Sequence, residues 1–84
     1  MDYEVAYEKV ESVVRRVLRS PDLVLTPATK PAHVNYWDSL AHTWIVVEVE
    51  KVCDVRLDVE RATAVECFGD LVDLVVAASE GSAS

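Results

Sequence analysis

Residues 38–53 read Asp-Ser-Leu-Ala-His-Thr-Trp-Ile-Val-Val-Glu-Val-Glu-Lys-Val-Cys. The β-branched residues in the middle favour a strand by propensity. The spacing contradicts that choice, because apolar residues recur at i, i+1, i+4, i+7 and i+8, which places them on one face of a helix. These are Ile45, Val46, Val49, Val52 and Cys53. Asp38 precedes the pattern and can accept a hydrogen bond as its N-cap. The stretch therefore predicts a helix over residues 39–53.

The segment before it, residues 3–19, has the same helical period. Its apolar positions are Ala6, Val10, Val13, Val14, Val17 and Leu18. Acidic residues come early and Arg residues come late, which is the order that the helix dipole favours. Pro21 ends the pattern, because the residue before a proline is driven out of the α region. We predict an amphipathic helix of four to five turns.

Residues 20–37 separate these two helices and contain three prolines without any helical or alternating period. Eighteen residues of loop are unusual in a domain of this size, and such loops often have a function. The segment either fails to order or lies over the core. In the second case we expect it to be pinned by its apolar residues Leu23, Leu25, Val34 and Tyr36.

The C-terminal part predicts two further helices. Residues 59–64 allow one or two turns with Ala62 turned inward, and residues 66–77 place an apolar face at helical spacing. Residues 80–84 are predicted to be a disordered tail after a single domain over residues 1–79. The fold class expected is all-α, a four-helix bundle of three main helices and one short helix with a long first loop.

Composition restricts the function classes. The chain has 84 residues, of which 51% are apolar, and a net charge of −7 that residues 38–84 hold entirely. This excludes a disordered chain, and the acidic half disfavours nucleic acid and membrane surfaces as partners. No apolar run approaches 18 residues, and the first residues lack the pattern of a signal peptide, so we expect a cytoplasmic protein. From the acidic charge we expect contacts with basic surfaces of other proteins.

The two cysteines, Cys53 and Cys67, lie 14 residues apart without metal-ligand spacing to His33 or His42. We therefore expect free thiols and no metal site. His42 lies one turn beyond Ser39, which invites comparison with a Ser-His catalytic pair. A nucleophile also needs a third group to orient the base and an oxyanion hole. The sequence supplies neither, so we expect no catalysis.

Ser39 is the residue that the pattern singles out. It lies in the first turn of the predicted helix over residues 39–53, directly after the long loop and Asp38. A serine there is exposed, and the amide groups and dipole of a helix N-terminus favour an attached phosphate. The three residues Asp38-Ser39-Leu40 are a weak pattern alone, because a serine at a helix start is often only a cap.

The order of the elements makes the pattern specific. A helix, a long Pro-containing loop, Asp-Ser-Leu, an acidic helix, a short helix and a final helix in about 80 residues together resemble the acyl carrier proteins. The resemblance covers residues 3–77. It implies that Ser39 carries 4′-phosphopantetheine derived from coenzyme A, with Asp38 and Leu40 completing the motif. It also implies a phosphopantetheinyl transferase as a partner, together with acyl-loading, condensing or tailoring enzymes.

Residues 37–42, Trp-Asp-Ser-Leu-Ala-His, further resemble short discrete carriers from biosynthetic clusters, which suggests polyketide or related secondary metabolism. The chain also departs from the family. Asn35-Tyr36-Trp37 stands where Leu-Gly is usual, and Cys53 stands where Phe is common. Ala41 and Trp44 replace the acids that commonly begin the second helix.

These departures point to apolar docking. Leu40, Trp44 and Val47 lie at i, i+4 and i+7, on a face turned away from the predicted buried stripe, and we name them the docking stripe. Aromatic anchors dominate interface energetics, so we expect this stripe to bind partner enzymes, with Glu48 and Lys51 at its edge. Trp44 could instead fold under the loop into the core. Trp37 is expected to anchor the loop.

Two alternative functions stay open. A peptidyl or aryl carrier of non-ribosomal peptide synthesis has the same fold and prosthetic group, although it more often has Gly-Gly-x-Ser at the site. A small helical adaptor without modification would use Ser39 only as a helix cap. We expect a monomer in each case.

Overall fold

The computed structural model describes residues 1–81. This part of the chain is all-helical, as the sequence predicts, and contains no strand. Four α-helices, with one short 3-10 helix in the first loop, form the bundle. Their bounds are α1 Tyr3–Leu18, the 3-10 helix Pro31–His33, α2 Ser39–Cys53, α3 Val59–Thr63 and α4 Phe68–Gly81.

Aspartate residues begin three of the helices. Asp2 accepts a hydrogen bond from the Glu4 amide at 3.0 Å, and Asp38 accepts one from the Ala41 amide at 2.8 Å. Asp58 accepts from the Glu60 amide at 2.9 Å. Each carboxylate satisfies a backbone amide that has no partner within its helix, which stabilises the first turn. The predicted N-cap role of Asp38 is confirmed.

The core is formed mainly by the apolar faces of α1, α2 and α4. Its fully buried members are Ala6, Val10, Val14, Ile45, Val49, Phe68, Leu71, Val72 and Val75. Helix α1 packs against both α2 and α4. The Tyr7 ring meets Phe68 edge to face, with 5.0 Å between ring centroids, an arrangement that aromatic pairs favour. Helical periodicity therefore identified the buried faces, although Val52 is exposed and Val46 only half-buried.

Helix α4 differs from its predicted bounds of 66–77. It begins at Phe68 because the first loop supplies acceptors for its first amides: Phe68 N–H donates to the Thr29 carbonyl at 2.7 Å, and Gly69 N–H donates to the Pro27 carbonyl at 2.9 Å. It continues to Gly81, so residues 80 and 81, predicted to belong to the tail, are helical. The rest of that tail prediction lies outside the described residues.

The first loop lies over the core, which is the second of the two arrangements considered for it. Leu25 and Trp37 are buried, and Leu23 and Val34 pack partly against the core, as expected of residues that pin the loop. The expectation for Tyr36 is wrong, because its side chain is 78% exposed. Its neighbour Trp37 takes the inward position instead. The loop sequence has no period, so it could not predict which of these two aromatic side chains is buried.

Two side chains of α1 donate hydrogen bonds to the first loop. The Tyr7 hydroxyl donates to the Leu25 carbonyl at 2.6 Å, and the Arg15 Nε–H donates to the Leu23 carbonyl at 2.8 Å. A turn at Thr26 and Thr29 is closed by their side chains, with the Thr26 amide donating to the Thr29 hydroxyl at 2.9 Å. These bonds satisfy loop carbonyls and amides that have no secondary-structure partner.

Candidate functional site

Ser39 is the first residue of α2, and its side chain is exposed. Asp38 supplies the N-cap hydrogen bond, so the start of the helix does not depend on the Ser39 hydroxyl. The Ser39 carbonyl continues the helix and also accepts a hydrogen bond from the Thr43 hydroxyl at 3.1 Å. The arrangement presents an exposed hydroxyl at the positive end of the α2 dipole.

The chain reaches Ser39 through a left-handed residue. Tyr36 has a φ of 69°, in the region that favours glycine, and it lies in the stretch where the acyl carrier family has Leu-Gly. The strain of a non-glycine residue there is of order 1–2 kcal/mol. The conformation turns the chain so that Trp37 enters the core while Tyr36 points to solvent. The stretch that departs from the family pattern therefore also has an unusual backbone conformation at Tyr36.

Trp37 and His42 form a hydrogen-bonded pair beside Ser39. The Trp37 Nε1–H donates to His42 Nδ1 at 3.0 Å, and the two rings lie edge to edge, with their planes 27° apart and their centroids 6.1 Å apart. Since Nδ1 accepts, the proton of neutral His42 lies on Nε2, which donates to the Ala62 carbonyl at 2.7 Å. His42 thereby joins the first loop to α3. Trp37 is a loop anchor, as predicted.

A cleft of about 440 Å³ opens beside Ser39. Its wall carries several polar side chains, contributed by the end of the first loop, the first turns of α2 and the end of α3. The lining residues are Pro31, Trp37, Asp38, Ser39, His42, Thr43, Thr63 and Val65. A group attached at Ser39 would therefore have a pocket with hydroxyl and imidazole groups next to it. The sequence alone did not reveal this cleft, because its α3 residues are distant along the chain.

The docking stripe lies on the surface. Leu40 is 69% exposed and Trp44 is 55% exposed, whereas Val47 is half-buried. The alternative that Trp44 belongs to the core is therefore wrong. Exposed Lys51 lies on the same helix, but Glu48 is engaged by Arg16 of α1, with 3.1 Å between Arg16 Nη2 and Glu48 Oε2.

The two cysteines occupy different environments. Cys53 is buried at the end of α2, and burial raises the pKa of its thiol above the ordinary value, an effect that Lys9 partly opposes. Cys67 is half-buried just before α4. Both thiols are free, as predicted. Within residues 1–81 no cluster of three or more His, Cys, Asp or Glu side chains could hold a metal ion.

One structural residue, Gly69, and one contact, that of the Ala62 carbonyl, were not identified from the sequence. Gly69 lies against Pro27 so closely that an added Cβ would come within 3.0 Å of the Pro27 carbonyl oxygen. Ala62 provides the carbonyl that His42 binds. A glycine inside an apolar helical pattern was the one available signal of a close backbone approach. Nothing in the sequence marks a particular backbone carbonyl as the partner of a histidine.

No helix of the described chain is long and apolar enough to cross a membrane. No protein-family model matches the chain, and no curated protein matches it either. A comparison with solved structures finds a holo acyl carrier protein from Geobacter metallireducens, determined by solution NMR. The two share 24% sequence identity with a TM-score of 0.82, over 93% of this chain and 90% of the other. The chain therefore has the acyl carrier protein fold.

Proposed function

We propose that this protein is an acyl carrier protein in which Ser39 is the attachment site for 4′-phosphopantetheine. The observation that carries the proposal is the placement of Ser39. Its exposed hydroxyl lies at the start of α2, which Asp38 caps, and beside a cleft, within a fold that matches a holo acyl carrier protein. The prosthetic group would supply a thiol that holds an acyl group as a thioester. The protein's own role is to present that group.

The residues around Ser39 suit such a group. Free amide groups in the first turn of α2 and the helix dipole favour a phosphate at this position. Thr43 and Thr63 both line the cleft. The Thr43 hydroxyl donates to the Ser39 carbonyl and could still accept from an amide N–H of a pantetheine arm. Leu40, the third residue of the motif, remains exposed beside them and available to an enzyme that binds the motif.

The decisive test is the intact mass after incubation with coenzyme A and a broad-specificity phosphopantetheinyl transferase. Wild type should gain the mass of one phosphopantetheine group, and Ser39→Ala should gain nothing. Asp38 still caps α2 in this variant, so its stability should change by less than about 1 kcal/mol. Ser12→Ala, a substitution of an exposed serine on α1, is the matched control and should be modified normally.

A wild-type chain that gains no mass would identify the protein as an unmodified helical adaptor. Modification of Ser39→Ala would show that the attachment site is elsewhere. A peptidyl or aryl carrier would also gain the group, so cargo loading by candidate enzymes distinguishes that alternative. The resemblance of residues 37–42 to discrete carriers of biosynthetic clusters supports a polyketide or related pathway, with acyl-loading, condensing or tailoring enzymes as partners.

The proposed role is a carrier without catalytic activity of its own. His42, the nearest candidate for a base, uses both ring nitrogens in bonds to Trp37 and Ala62. A base that activates a serine needs a ring nitrogen directed at the hydroxyl and a third group that orients the ring. The observed bonds therefore assign His42 a structural role rather than that of a base, which supports the carrier role.

We further propose that the docking stripe of Leu40, Trp44 and Val47 provides more of the partner affinity than Glu48 or Lys51. Removal of a desolvated aromatic anchor can cost about 2 kcal/mol or more. Exposed charges at an interface rim mainly change association rate and salt dependence. The engagement of Glu48 by Arg16 supports this order, because a partner must compete with that pair.

Trp44→Ala should slow phosphopantetheinyl transfer or cargo loading at least about tenfold, at low and high salt alike, with unchanged helix content. Glu48→Gln should have an effect mainly at low salt. Val24→Ala, which shortens an exposed apolar side chain in the first loop, is the control for loss of surface area. Equal rates for Trp44→Ala and wild type would show that the docking stripe does not bind the partner enzymes.

A further inference from the structure

Tyr36 has a backbone conformation that no helix end explains. Three described residues other than glycine have a positive φ: Arg19, Tyr36 and Asp54. Arg19 and Asp54 are the C-caps of α1 and α2, where their backbone amides donate to carbonyls of the last turns. A left-handed residue at that place is a common way to satisfy the last carbonyls of a helix. Tyr36 ends no α-helix, so its strain must have another reason.

The turn before Ser39 explains this backbone but not the side chain that it carries. Trp37 N–H donates to the Val34 carbonyl at 3.3 Å, which closes a four-residue turn with Tyr36 at its third position. A positive φ at the third position alone is typical of a type II turn, which favours glycine or asparagine there. Asn35 stands one position too early to take that place. A glycine at position 36 would make the same turn without strain.

The folded chain makes little use of the Tyr36 side chain. Its ring is 78% exposed, more than any other aromatic side chain in residues 1–81. Within that range the ring has no aromatic partner and the hydroxyl makes no hydrogen bond, whereas Tyr7 has contacts of both kinds. Strained residues are found preferentially at active sites and ligand-binding sites, where function outweighs the cost. The ring is therefore available to contact another molecule.

The position of the Tyr36 ring limits which molecule it can contact. Tyr36 lies three residues before Ser39, so their Cα atoms are at most about 11 Å apart. A protein interface of ordinary size covers about 800 Å² on each partner, which corresponds to a circle of about 16 Å radius. An enzyme that surrounds Ser39 with an interface of this size also covers Tyr36.

The phosphopantetheinyl transferase is the enzyme that must surround Ser39. In its reaction the serine oxygen forms a bond to the phosphorus of the pantetheine half of coenzyme A, and the bond from that phosphorus to the other phosphate breaks. The adenosine bisphosphate half leaves with the electron pair of that bond, and the serine proton passes to the enzyme. Enzymes that act on the cargo work at the far end of the arm, so they can act without covering this surface.

We infer that Tyr36 is a recognition residue for the phosphopantetheinyl transferase, whose surface takes up the ring in an apolar depression; this rests on the proposed function. An aromatic ring buries a large apolar area while few rotatable bonds are fixed, so tyrosine is frequent among the residues that dominate interfaces. The turn and the buried neighbour Trp37 fix the backbone that carries the ring, which lowers the entropy lost on binding. Tyr36 lies before α2 and is separate from the docking stripe.

The test measures the rate of modification by coenzyme A and a broad-specificity phosphopantetheinyl transferase over a range of carrier concentrations. Tyr36→Gly and Tyr36→Asn remove the ring and introduce residues that tolerate a positive φ. We expect each to raise the KM for the carrier at least about fivefold with kcat unchanged, because the ring lies outside the reacting atoms. Tyr36→Phe, which keeps the ring, should stay within about twofold of wild type.

Stability and a control variant separate recognition from a role in the fold. The urea midpoint of Tyr36→Gly should be no lower than that of wild type, because the relief of strain offsets the flexibility that glycine adds to the unfolded chain. Val24→Ala shortens a side chain of the same loop that is 76% exposed, and it should leave the KM unchanged. A midpoint clearly below wild type would show that the ring serves the fold and would overturn the inference.

Photocrosslinking detects the contact without reference to rate. With the photoreactive residue p-benzoylphenylalanine in place of Tyr36, irradiation should join the carrier to the transferase, and the same residue in place of Val24 should not. Absence of a crosslink from position 36, an unchanged KM in both ring-removing variants, or a KM in Tyr36→Phe as high as theirs would each overturn the inference. A wild-type chain that gains no mass contradicts the proposed function itself, whereas a wild-type chain that is modified independently of Tyr36 contradicts this inference alone.

Discussion

Two regions border Ser39, and the protein holds them by different means. The first loop, residues 20–37, has little regular structure but is tied to α1 by Tyr7 and Arg15 and to α4 by the amides of residues 68 and 69. Helix α3 is regular, but Ala62 is its one buried residue, and the hydrogen bond from His42 to the Ala62 carbonyl joins it to α2. The irregular region is thus the better anchored of the two.

This difference shows that secondary structure is a poor guide to local stability. Each loop bond joins the loop to a helix of the core, so local opening of the loop must break several interactions at once. Opening of α3 breaks few, and its energetic cost should therefore be smaller. We therefore expect the loop side of the Ser39 cleft to open less readily than the α3 side. The following experiments test that contrast, beginning with the largest expected effect.

Gly69→Ala should weaken the attachment of the first loop to α4. The new Cβ would meet the Pro27 carbonyl oxygen at 3.0 Å and the Pro27 Cβ at 3.1 Å, so the loop must shift away from α4. We expect about 2 kcal/mol of destabilisation, because overpacking outweighs the improved helix propensity of alanine. Urea unfolding measures the change. Asp70→Ala, at the next and exposed position, should change stability by less than about 0.5 kcal/mol. A more stable Gly69→Ala would show that the loop is not tightly seated.

The two cysteines report separately on the end of α2 and on the residues just before α4. Cys53 should react with a thiol reagent at least about tenfold more slowly than Cys67, because it is buried and its raised pKa leaves less thiolate. A raised folded-state pKa also means that the stability contributed by the neutral thiol is present at neutral pH and is lost as the pH rises through that raised value. Mass spectrometry of time points, with Cys53→Ser and Cys67→Ser as single-thiol controls, gives both rates. Comparable rates would show that burial at the end of α2 does not protect Cys53.

Tyr7→Phe should produce the smallest effect. The substitution removes one of several loop bonds and leaves the Leu25 carbonyl without its 2.6 Å donor, while the ring can still pack edge to face on Phe68. We expect a loss of about 1 kcal/mol in the free energy of unfolding. Tyr3→Phe, on the same helix with an exposed side chain, is the control. A loss of several kcal/mol would mean that this bond alone holds the loop.

The helices were predictable where the apolar period is long. The pattern over residues 39–53 identified α2 despite its β-branched centre, and it placed Ile45, Val49 and Cys53 correctly in the core. The period cannot distinguish residues near the edge of a stripe, so Val52 was assigned to the core although it is exposed. The end of α4 was also missed, because Ser and Glu near residue 80 have no apolar pattern to continue.

The candidate site likewise has features that the sequence predicted and one that it did not. Asp38-Ser39-Leu40 and the Asp38 cap depend on neighbours in the chain, so the sequence predicted them. The position of Trp44 on the surface follows from its angular distance from the buried stripe, which is also a local property. The partner of His42 depends on the packing of a helix about 20 residues later, and no local pattern encodes it.

The sequence by itself determined an all-helical chain, the faces that its three long helices bury and the serine at the start of α2, because helical period and capping are interactions between residues a few positions apart. Only the tertiary structure decided that the first loop caps α4, that Tyr36 turns outward while Trp37 turns inward, and that Trp37, His42 and Ala62 meet beside Ser39. These contacts join backbone groups and side chains that are far apart along the chain, and their partners are selected by packing of the completed bundle.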